Sequence, residues 1–452
     1  LKNLSHIQHF VFLGIGGIGM SAIARYFALQ NKQVCGYDRT QTQLTTTLQN
    51  EGVDVIYTQE IQQLFVNKNI EKENTIVIFT PAVSKDNLLY IYFLEKGFRM
   101  MKRAQILGEI TKDLPTLAVA GTHGKTTTTA ILAHILKQCG VKLTAFLGGI
   151  SENYKTNFIS DGNEVVVVEA DEFDRSFLQL TPNIAAITSM DADHLDIYQE
   201  RNLLETSFRD FAAKVSSEDL YVAQGLPLQG KTIGFEASAD IHITNIKIKN
   251  GTYIFDVISQ DFQLTNIQSF LPGRHNLFNA TVAIVLAIAF GLDATEVASK
   301  VESFKGVERR FTYHLKTNNL LIIEDYAHHP NEISAVYEAA RELYPNKKIS
   351  VIFQPHLYSR TKDFADDFAT SLSAFDEVNL LEIYPAREIP IEGINAQFLL
   401  EKINNKDKKI VKKEALSALV KHSDAQVFMF LGAGDIGDEV PKVIKKLPYE
   451  KV

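Results

Sequence analysis

The sequence predicts an α/β protein of three domains, each built on a largely parallel sheet, and three observations carry that expectation. Two glycine loops each stand between an apolar strand and a helix: Gly14–Gly19 after His9–Leu13, and Gly121–Gly124 after Thr116–Ala120. Short apolar runs alternate with helical patterns, and polar residues follow the runs, as in sheets whose strand ends line a crevice. Between Asp240 and Phe270 this rhythm gives way to short alternating runs around Asn250-Gly251, which predicts an antiparallel extension. At 452 residues and 45% hydrophobic content the chain has material for several cores, with domains expected at 1–105, 106–307 and 308–452.

The opening strand, His9–Leu13, runs into Gly14-Ile15-Gly16-Gly17-Ile18-Gly19, a helix from Met20 to Gln30, and a second strand, Gln33–Tyr37, ending at Asp38. This is a dinucleotide-type fingerprint with an acid about 20 residues on. Gly14, Gly16, Gly17 and Gly19 are therefore candidates to bind a diphosphate, with Asp38 as a candidate substrate residue where a ribose contact would be, and a nucleotide sugar carries a diphosphate as readily as NAD does. Further strands at Thr75–Phe79 and Arg99–Met101 complete a Rossmann-like domain.

The second domain reads as a P-loop-type ATPase α/β domain. TLAVA leads into GTHGKTTTT and then AILAHIL, whose Ile131, Leu132, Ile135 and Leu136 share one helical face. Unpaired N–H groups at the helix start, the charge of Lys125 and the Thr126 hydroxyl suit a triphosphate with magnesium, so Gly121, Thr122, His123, Gly124, Lys125, Thr126 and Thr127 are candidate ATP residues. Val119 stands where the general P-loop has its first glycine, so this loop is shorter. A strand at Glu164–Val168 delivers Glu169, Asp171, Glu172 and Asp174, and another at Ile184–Ile187 delivers Asp191, Asp193 and His194. Glu169 and His194 are expected to hold magnesium beside Thr126, supported by Asp191 and Asp193. Asp174 and Asp196 are read as ordinary loop residues.

A long apolar helix, Leu277–Phe290, follows Pro272-Gly273-Arg274-His275-Asn276. His275 and Asn279 share a face at its start, where an adenine edge is one partner and a capping Asn276 with a core-adjacent His275 the other. Phe304–Phe311 reads as a hinge into the third domain, and Arg309-Arg310 suits a phosphate clamp in which one of the two is a solvated strand-edge residue. Strands at Leu320–Ile323, Ile349–Phe353 and Val427–Leu431 then end in Glu324–Pro330, Gln354–Arg360 and Gly432–Asp435, a second Rossmann-like arrangement.

Composition narrows the function. A net charge of −8 argues against general nucleic-acid or anionic-membrane binding, and only Cys35 and Cys139 occur, so neither a disulfide framework nor a cysteine zinc site is suggested. The longest apolar stretch, Ala280–Leu292, is short of a membrane span, and no basic-then-apolar signal pattern opens the chain. A soluble cytoplasmic protein is expected.

Several segments together resemble the Mur ligases, in their alanine-adding branch: GIGGIGMS, AGTHGKTTTT, EADEFDRSFL, DADHLD, PGRHNLFNA, GVERRF, DYAHHPNEI and FQPHLYSRT, in order along essentially the whole chain. The resemblance implies an ATP-dependent ligase of peptidoglycan precursor synthesis that joins L-alanine to UDP-N-acetylmuramate through an acyl phosphate. It implies a first domain for the UDP part, a central ATPase domain and a third domain that closes over the amino acid. It places the phosphates on Gly121–Thr127 with Lys125 central, magnesium on Thr126, Glu169 and His194, adenine at His275 and Asn279, and Arg310 at the phosphates. Lys125, His194, His328 and Arg360 are the implied catalytic residues, His328 and Arg360 lying near the alanine and the reacting carboxylate. Two positions depart: Leu357 stands where many relatives have arginine, and Phe208, fourteen residues past His194, stands where sister ligases carry a carbamylated lysine. The second departure agrees with the alanine-adding branch. A ligase of the same fold that recycles a tripeptide, an NAD-dependent oxidoreductase and a non-catalytic nucleotide switch are the competing readings.

Overall fold

Among the described residues five parallel strands form the first sheet, in the order Asp54–Ile56, Gln33–Tyr37, His9–Leu13, Thr75–Phe79, Arg99–Lys102. The central strand is buried throughout and apolar from Phe10 to Leu13 because it serves two cores: Phe10 and Phe12 pack in one, Val11 and Leu13 in the other. The computed structural model describes residues 4–65, 70–191, 201–386 and 388–447. Its first helix, Ile18–Leu29, begins two residues earlier than expected, directly after Gly17.

The central sheet has ten strands among the described residues, ordered Gln263–Ser269, Thr252–Ile258, Ile241–Lys249, Lys231–Gly234, Leu220–Ala223, Ile184–Ile187, Thr116–Ala120, Val165–Ala170, Leu143–Ser151, Thr156–Ser160. The predicted turn at Asn250-Gly251 is present, with both residues at positive φ (53° and 79°), as a tight hairpin requires. On the opposite edge, Leu143–Ser151 pairs antiparallel with Thr156–Ser160. Sequence reading placed no strand there. The strand expected at Glu164–Val168 runs instead from Val165 to Ala170, which puts Glu169 inside it.

The helix Lys125–Gln138 also differs from its expected amphipathic form, since every residue from Thr126 to Leu136 is buried. It packs on the strands Leu143–Ser151 and Val165–Ala170 and on the helix Ala294–Lys300, and its last turn, at Lys137 and Gln138, reaches water. His134 fixes it laterally. Its Nδ1 lies 2.8 Å from the Tyr154 hydroxyl and its Nε2 2.8 Å from Ser303 Oγ. The Ser303 hydroxyl donates to Lys300 O, so its oxygen accepts from Nε2–H and leaves Nδ1 to accept from Tyr154. That tautomer is neutral, and burial lowers the pKa to about 4.

Among the described residues six strands make the third sheet: Thr312–Lys316, Leu321–Asp325, Val427–Leu431, Ile349–Phe353, Glu377–Leu380, Lys408–Ile410. The first pair is antiparallel and the others parallel. Glu324 and Asp325, expected beyond the strand end, are buried within it. The chain divides into two compact units, one of Leu1–Thr244, Asp256–Thr265 and Asn279–Phe304, the other of Asn245–Phe255, Asn266–Phe278 and Lys305–Val452. No helix among the described residues is long and apolar enough to cross a membrane.

Candidate functional site

In the first unit the strand Thr116–Ala120 lies between Ile184–Ile187 and Val165–Ala170, all parallel, so their carboxyl ends open on the same side. Chain order reverses about this strand, which is where α/β sheets form crevices. The loop Gly121–Gly124 leaves from it, with φ of 131° at Gly121 and 82° at Gly124. Both turns need glycine, and space demands it too: a Cβ at Gly124 would stand 2.5 Å from Asn279 Oδ1, and one at Gly121 2.8 Å from the Ser189 nitrogen. Asn279 is thus brought to the loop. The neighbouring strand end braces the loop through Thr122 Oγ1 donating to Asp191 O, His123 N to Ser189 Oγ, and Thr188 Oγ1 to the carbonyls of Ala120 and His123. The Asp191 carboxylate, expected to support a metal, lies 3.3 Å from His123 Nε2.

Cα register sets Glu169 beside Val119, and from there its carboxylate meets the start of the loop helix. Thr126 Oγ1 lies 3.0 Å from each Glu169 oxygen. Gly148 forms the wall of this oxygen cluster: a Cβ there would stand 2.7 Å from Glu169 Cδ and 2.9 Å from Thr126 Oγ1. A hydroxyl and a carboxylate in a cradle that excludes even a methyl group fit a hard divalent cation such as magnesium. Among the described residues no group of three or more His, Cys, Asp or Glu converges as a metal set. His194, the third expected ligand, lies outside the described residues, as do Asp193 and Asp196.

Four acids of one short segment alternate between two neighbours. Glu169 faces Thr126 and Glu172 faces Lys125, whereas Asp171 pairs with Arg103 at 2.9 Å and Asp174 with Lys102 at 2.7 Å. Asp174 is therefore an ion-pair partner and not the ordinary loop residue expected, and it and Arg175 sit at φ 52°. Lys125 donates to Glu172 Oε2 at 2.7 Å and to Gly121 O at 2.6 Å. Burial opposes its charge, but Glu172, Asp171 and Glu169 outweigh that and hold its pKa above the ordinary lysine range. Phe208 stacks edge-on to Phe177 at 5.3 Å and is fully buried, so the place of the sister ligases' lysine is core.

At the first glycine loop, Gly14 has φ 85°, and its amide and that of Ile15 donate to Tyr37 O. Asp38 turns inward: Gly16 N donates to its Oδ2 at 2.8 Å and Thr40 N to its Oδ1 at 3.2 Å, so this acid shapes the loop directly. Gly17 precedes the helix, and Gly19 lets Arg103 pass, a Cβ there standing 2.6 Å from Arg103 Nη1. Arg103, to which the sequence analysis gives no role, thus touches both this loop and the acidic segment.

The second unit gathers its own polar group at the ends of Leu321–Asp325 and Ile349–Phe353. His328 Nδ1 lies 2.9 Å from Tyr326 O and 3.3 Å from Glu332 Oε2, with its ring 6.1 Å from that of His356. His356 stacks on Tyr384 and meets Arg360 Nη1 at 3.4 Å, so His356, quoted in a motif but given no role, joins His328 to Arg360. Leu357 occupies a backbone position at φ 71°, and its N–H donates to Tyr384 O. The two arginines part company. Arg309 is tied to Glu324 and to the carbonyls of Gly432 and Gly434, which makes it structural. Arg310 lies over the Tyr326 ring and 4.0 Å from Glu332. Burial, then Arg310, lowers the His275 pKa to about 4, so this histidine is neutral. Asn276 does not cap the helix, which begins at Arg274; its side chain donates to Pro272 O.

Comparison with known proteins places these features in one family. Residues 9–114 match the family model described as "Mur ligase family, catalytic domain", 119–287 the "Mur ligase middle domain", and 309–434 the "Mur ligase, glutamate ligase domain". The chain is 53% identical, over all of both chains, to a UDP-N-acetylmuramate--L-alanine ligase of Christiangramia forsetii. It is 53% identical to the ligase of the same name in Flavobacterium psychrophilum, over 98% of this chain and 99% of that one. Among solved structures it is similar to the UDP-N-acetylmuramate-alanine ligase of Thermotoga maritima, with a TM-score of 0.82 and 28% identity over 97% of this chain and 98% of that one. A murein peptide ligase of Psychrobacter arcticus shares the fold at a TM-score of 0.68 and 20% identity, covering 97% and 98%.

Proposed function

This chain belongs to the Mur ligase family, and from that premise we propose that it joins L-alanine to the carboxylate of UDP-N-acetylmuramate, converting ATP to ADP and phosphate, in cytoplasmic peptidoglycan precursor synthesis. The observation that supports the phosphoryl-transfer part is Lys125 held on the glycine loop beside the Thr126–Glu169 contact, at the carboxyl ends of adjacent parallel strands. The amino acid and sugar nucleotide follow from what full-length relatives are named for.

In this reading a carboxylate oxygen attacks the γ-phosphorus of ATP, the bond to the bridging oxygen breaks, and ADP leaves. The alanine amine then attacks the acyl carbon, phosphate departs with the C–O bonding pair, and the amine loses a proton. The first step brings anions together, each pair of unit charges at 4 Å repelling by about 4 kcal/mol at an effective dielectric of 20. Lys125 and those amides of Gly121–Thr127 that Ser189 does not hold meet the triphosphate, and Arg310 adds charge to the phosphates. Thr126, Glu169 and His194 would hold magnesium, which supplies further positive charge there when bound. Asn279 and His275 serve the adenine, the latter as the neutral ring that burial enforces. His328 and Arg360 serve the amino acid and the reacting carboxylate. Gly14, Gly16, Gly17 and Gly19 receive the UDP diphosphate, with Asp38 holding Gly16 in place. Residues 1–105, 106–307 and 308–452 form the domains for UDP-substrate, ATP and amino acid.

Phosphate release across a panel of amino acids, with UDP-N-acetylmuramate present or withheld, tests the reading. Release is expected only with both UDP-N-acetylmuramate and L-alanine. Release without the sugar nucleotide, or with a tripeptide in preference to alanine, overturns it.

A further inference from the structure

The Lys125 ammonium has three hydrogens and four acceptors around it: Gly121 O at 2.6 Å, Thr122 O at 3.3 Å, and Glu172 Oε2 and Oε1 at 2.7 and 3.0 Å. A phosphate oxygen can therefore bind this amine only by taking a hydrogen from one of them. The two carbonyls belong to the glycine loop itself and move only with it. Glu172 comes from a different segment, 47 residues on, and is the partner that can be exchanged.

Glu172 is also delivered to Lys125 by contacts that do not involve its own carboxylate. Asp171 pins the segment to Arg103 and receives Phe173 N at Oδ1, Asp174 pins it to Lys102, and Arg175 N closes the turn on Glu172 O. The side chain is 1% exposed, against 12% for Lys125. A carboxylate this deeply buried is retained only by a specific partner, and its bidentate approach fixes where the ammonium points.

We propose that Glu172 is a positioning residue for Lys125, holding the ammonium on the glycine loop and giving it up to the incoming triphosphate. The proposal rests on the ATP-binding reading and adds a direction to it. Glu172 competes with nucleotide for the lysine, which weakens nucleotide binding, and it reclaims the lysine as nucleotide leaves. Removing the carboxylate tightens nucleotide binding and slows its departure, at a cost in turnover because the spent nucleotide leaves more slowly.

The test is a double-mutant cycle read by equilibrium binding of a non-hydrolysable ATP analogue with magnesium to the full chain, using Glu172→Gln, Lys125→Met and both together. Glu172→Gln is expected to tighten analogue binding by about fivefold, and in the Lys125→Met background the same change is expected to shift it by less than about twofold, since coupled residues depart from additivity. Looser or unchanged binding in Glu172→Gln overturns the proposal. So does an equal gain in both backgrounds, which would mean that Glu172 acts only as a nearby negative charge. Should Glu172→Gln fail to fold, Glu172→Asp draws the carboxylate back by one methylene; tighter binding supports the proposal and unchanged or looser binding overturns it. Failure of the wild type to bind the analogue refutes the ATP reading itself, whereas an additive cycle in a chain that binds it refutes only the role of Glu172.

Discussion

Replacing Gly148 by alanine adds a single methyl group at the wall of the Thr126–Glu169 cluster. Gly148 is not among the residues at positive φ, so the backbone accepts the change without strain. The side chains do not. The new Cβ would stand 2.7 Å from Glu169 Cδ, where ordinary contact begins at 3.4 Å, and 2.9 Å from Thr126 Oγ1. The carboxylate must retreat by about 0.7 Å at its carbon, and a misplacement near 1 Å in a reacting assembly costs on the order of 100-fold in rate. Phosphate release with UDP-N-acetylmuramate and L-alanine is thus expected to fall about 100-fold, while overpacking by one methyl group costs about 1–3 kcal/mol of stability and lowers the urea midpoint without abolishing the fold. A Gly148→Ala protein that turns over within threefold of wild type, with its fold intact, would refute the placement of Glu169 and Thr126 at the reaction centre.

Other outcomes follow from the same geometry. Lys125→Ala is expected to abolish amide formation while UDP-N-acetylmuramate still binds, checked by product assay and calorimetry. It should also lower the melting temperature, since Glu172 is left as a buried charge without its partner, a loss of about 3–5 kcal/mol in comparable cases. Arg360→Ala is expected to reduce kcat by more than about tenfold with the KM for ATP within about threefold; an unchanged rate at saturating alanine removes Arg360 from the site. His134 is held neutral, its folded pKa of about 4 lying below the 6.5 of a free imidazole. The unfolded chain therefore binds the extra proton first as pH falls, so stability from this site is complete above about 6.5 and is lost down to about 4, up to about 3 kcal/mol. Urea melts at pH 7.5 and 4.5 should show that loss, and His134→Gln should flatten it; parallel slopes for the two proteins would exclude the effect.

What could be read in the sequence was local. A glycine loop between an apolar run and a helix, or Asn-Gly between alternating runs, is written in contiguous residues, and Gly121–Thr126 and the Asn250-Gly251 turn appear where expected. The pairings that give the site its character were not legible, because sheet register and chain reversal set them. Nothing near Lys125 indicates that Glu172, and not Glu169, takes its charge; that choice follows from Glu169 standing beside Val119. The doublet Arg309-Arg310 likewise offers no sign of which member faces Glu324 until the buried strand Leu321–Asp325 is in place. The loop helix is buried beyond the one face legible in Ile131, Leu132, Ile135 and Leu136: Thr126–Thr129 are buried too.

The alternation of carboxylates along 169–174 bears on protein engineering. A graft that exchanged only the nucleotide-binding lobe between homologues, joined just before Thr116, would import Asp171 and Asp174 opposite a foreign stretch lacking matched residues at Lys102 and Arg103. Two acids would lose their counterions at a seam. Chimeras that carry residues 99–175 as one block keep all four pairs from the same parent, and recombination libraries of this family should retain function more often when crossovers avoid that interval.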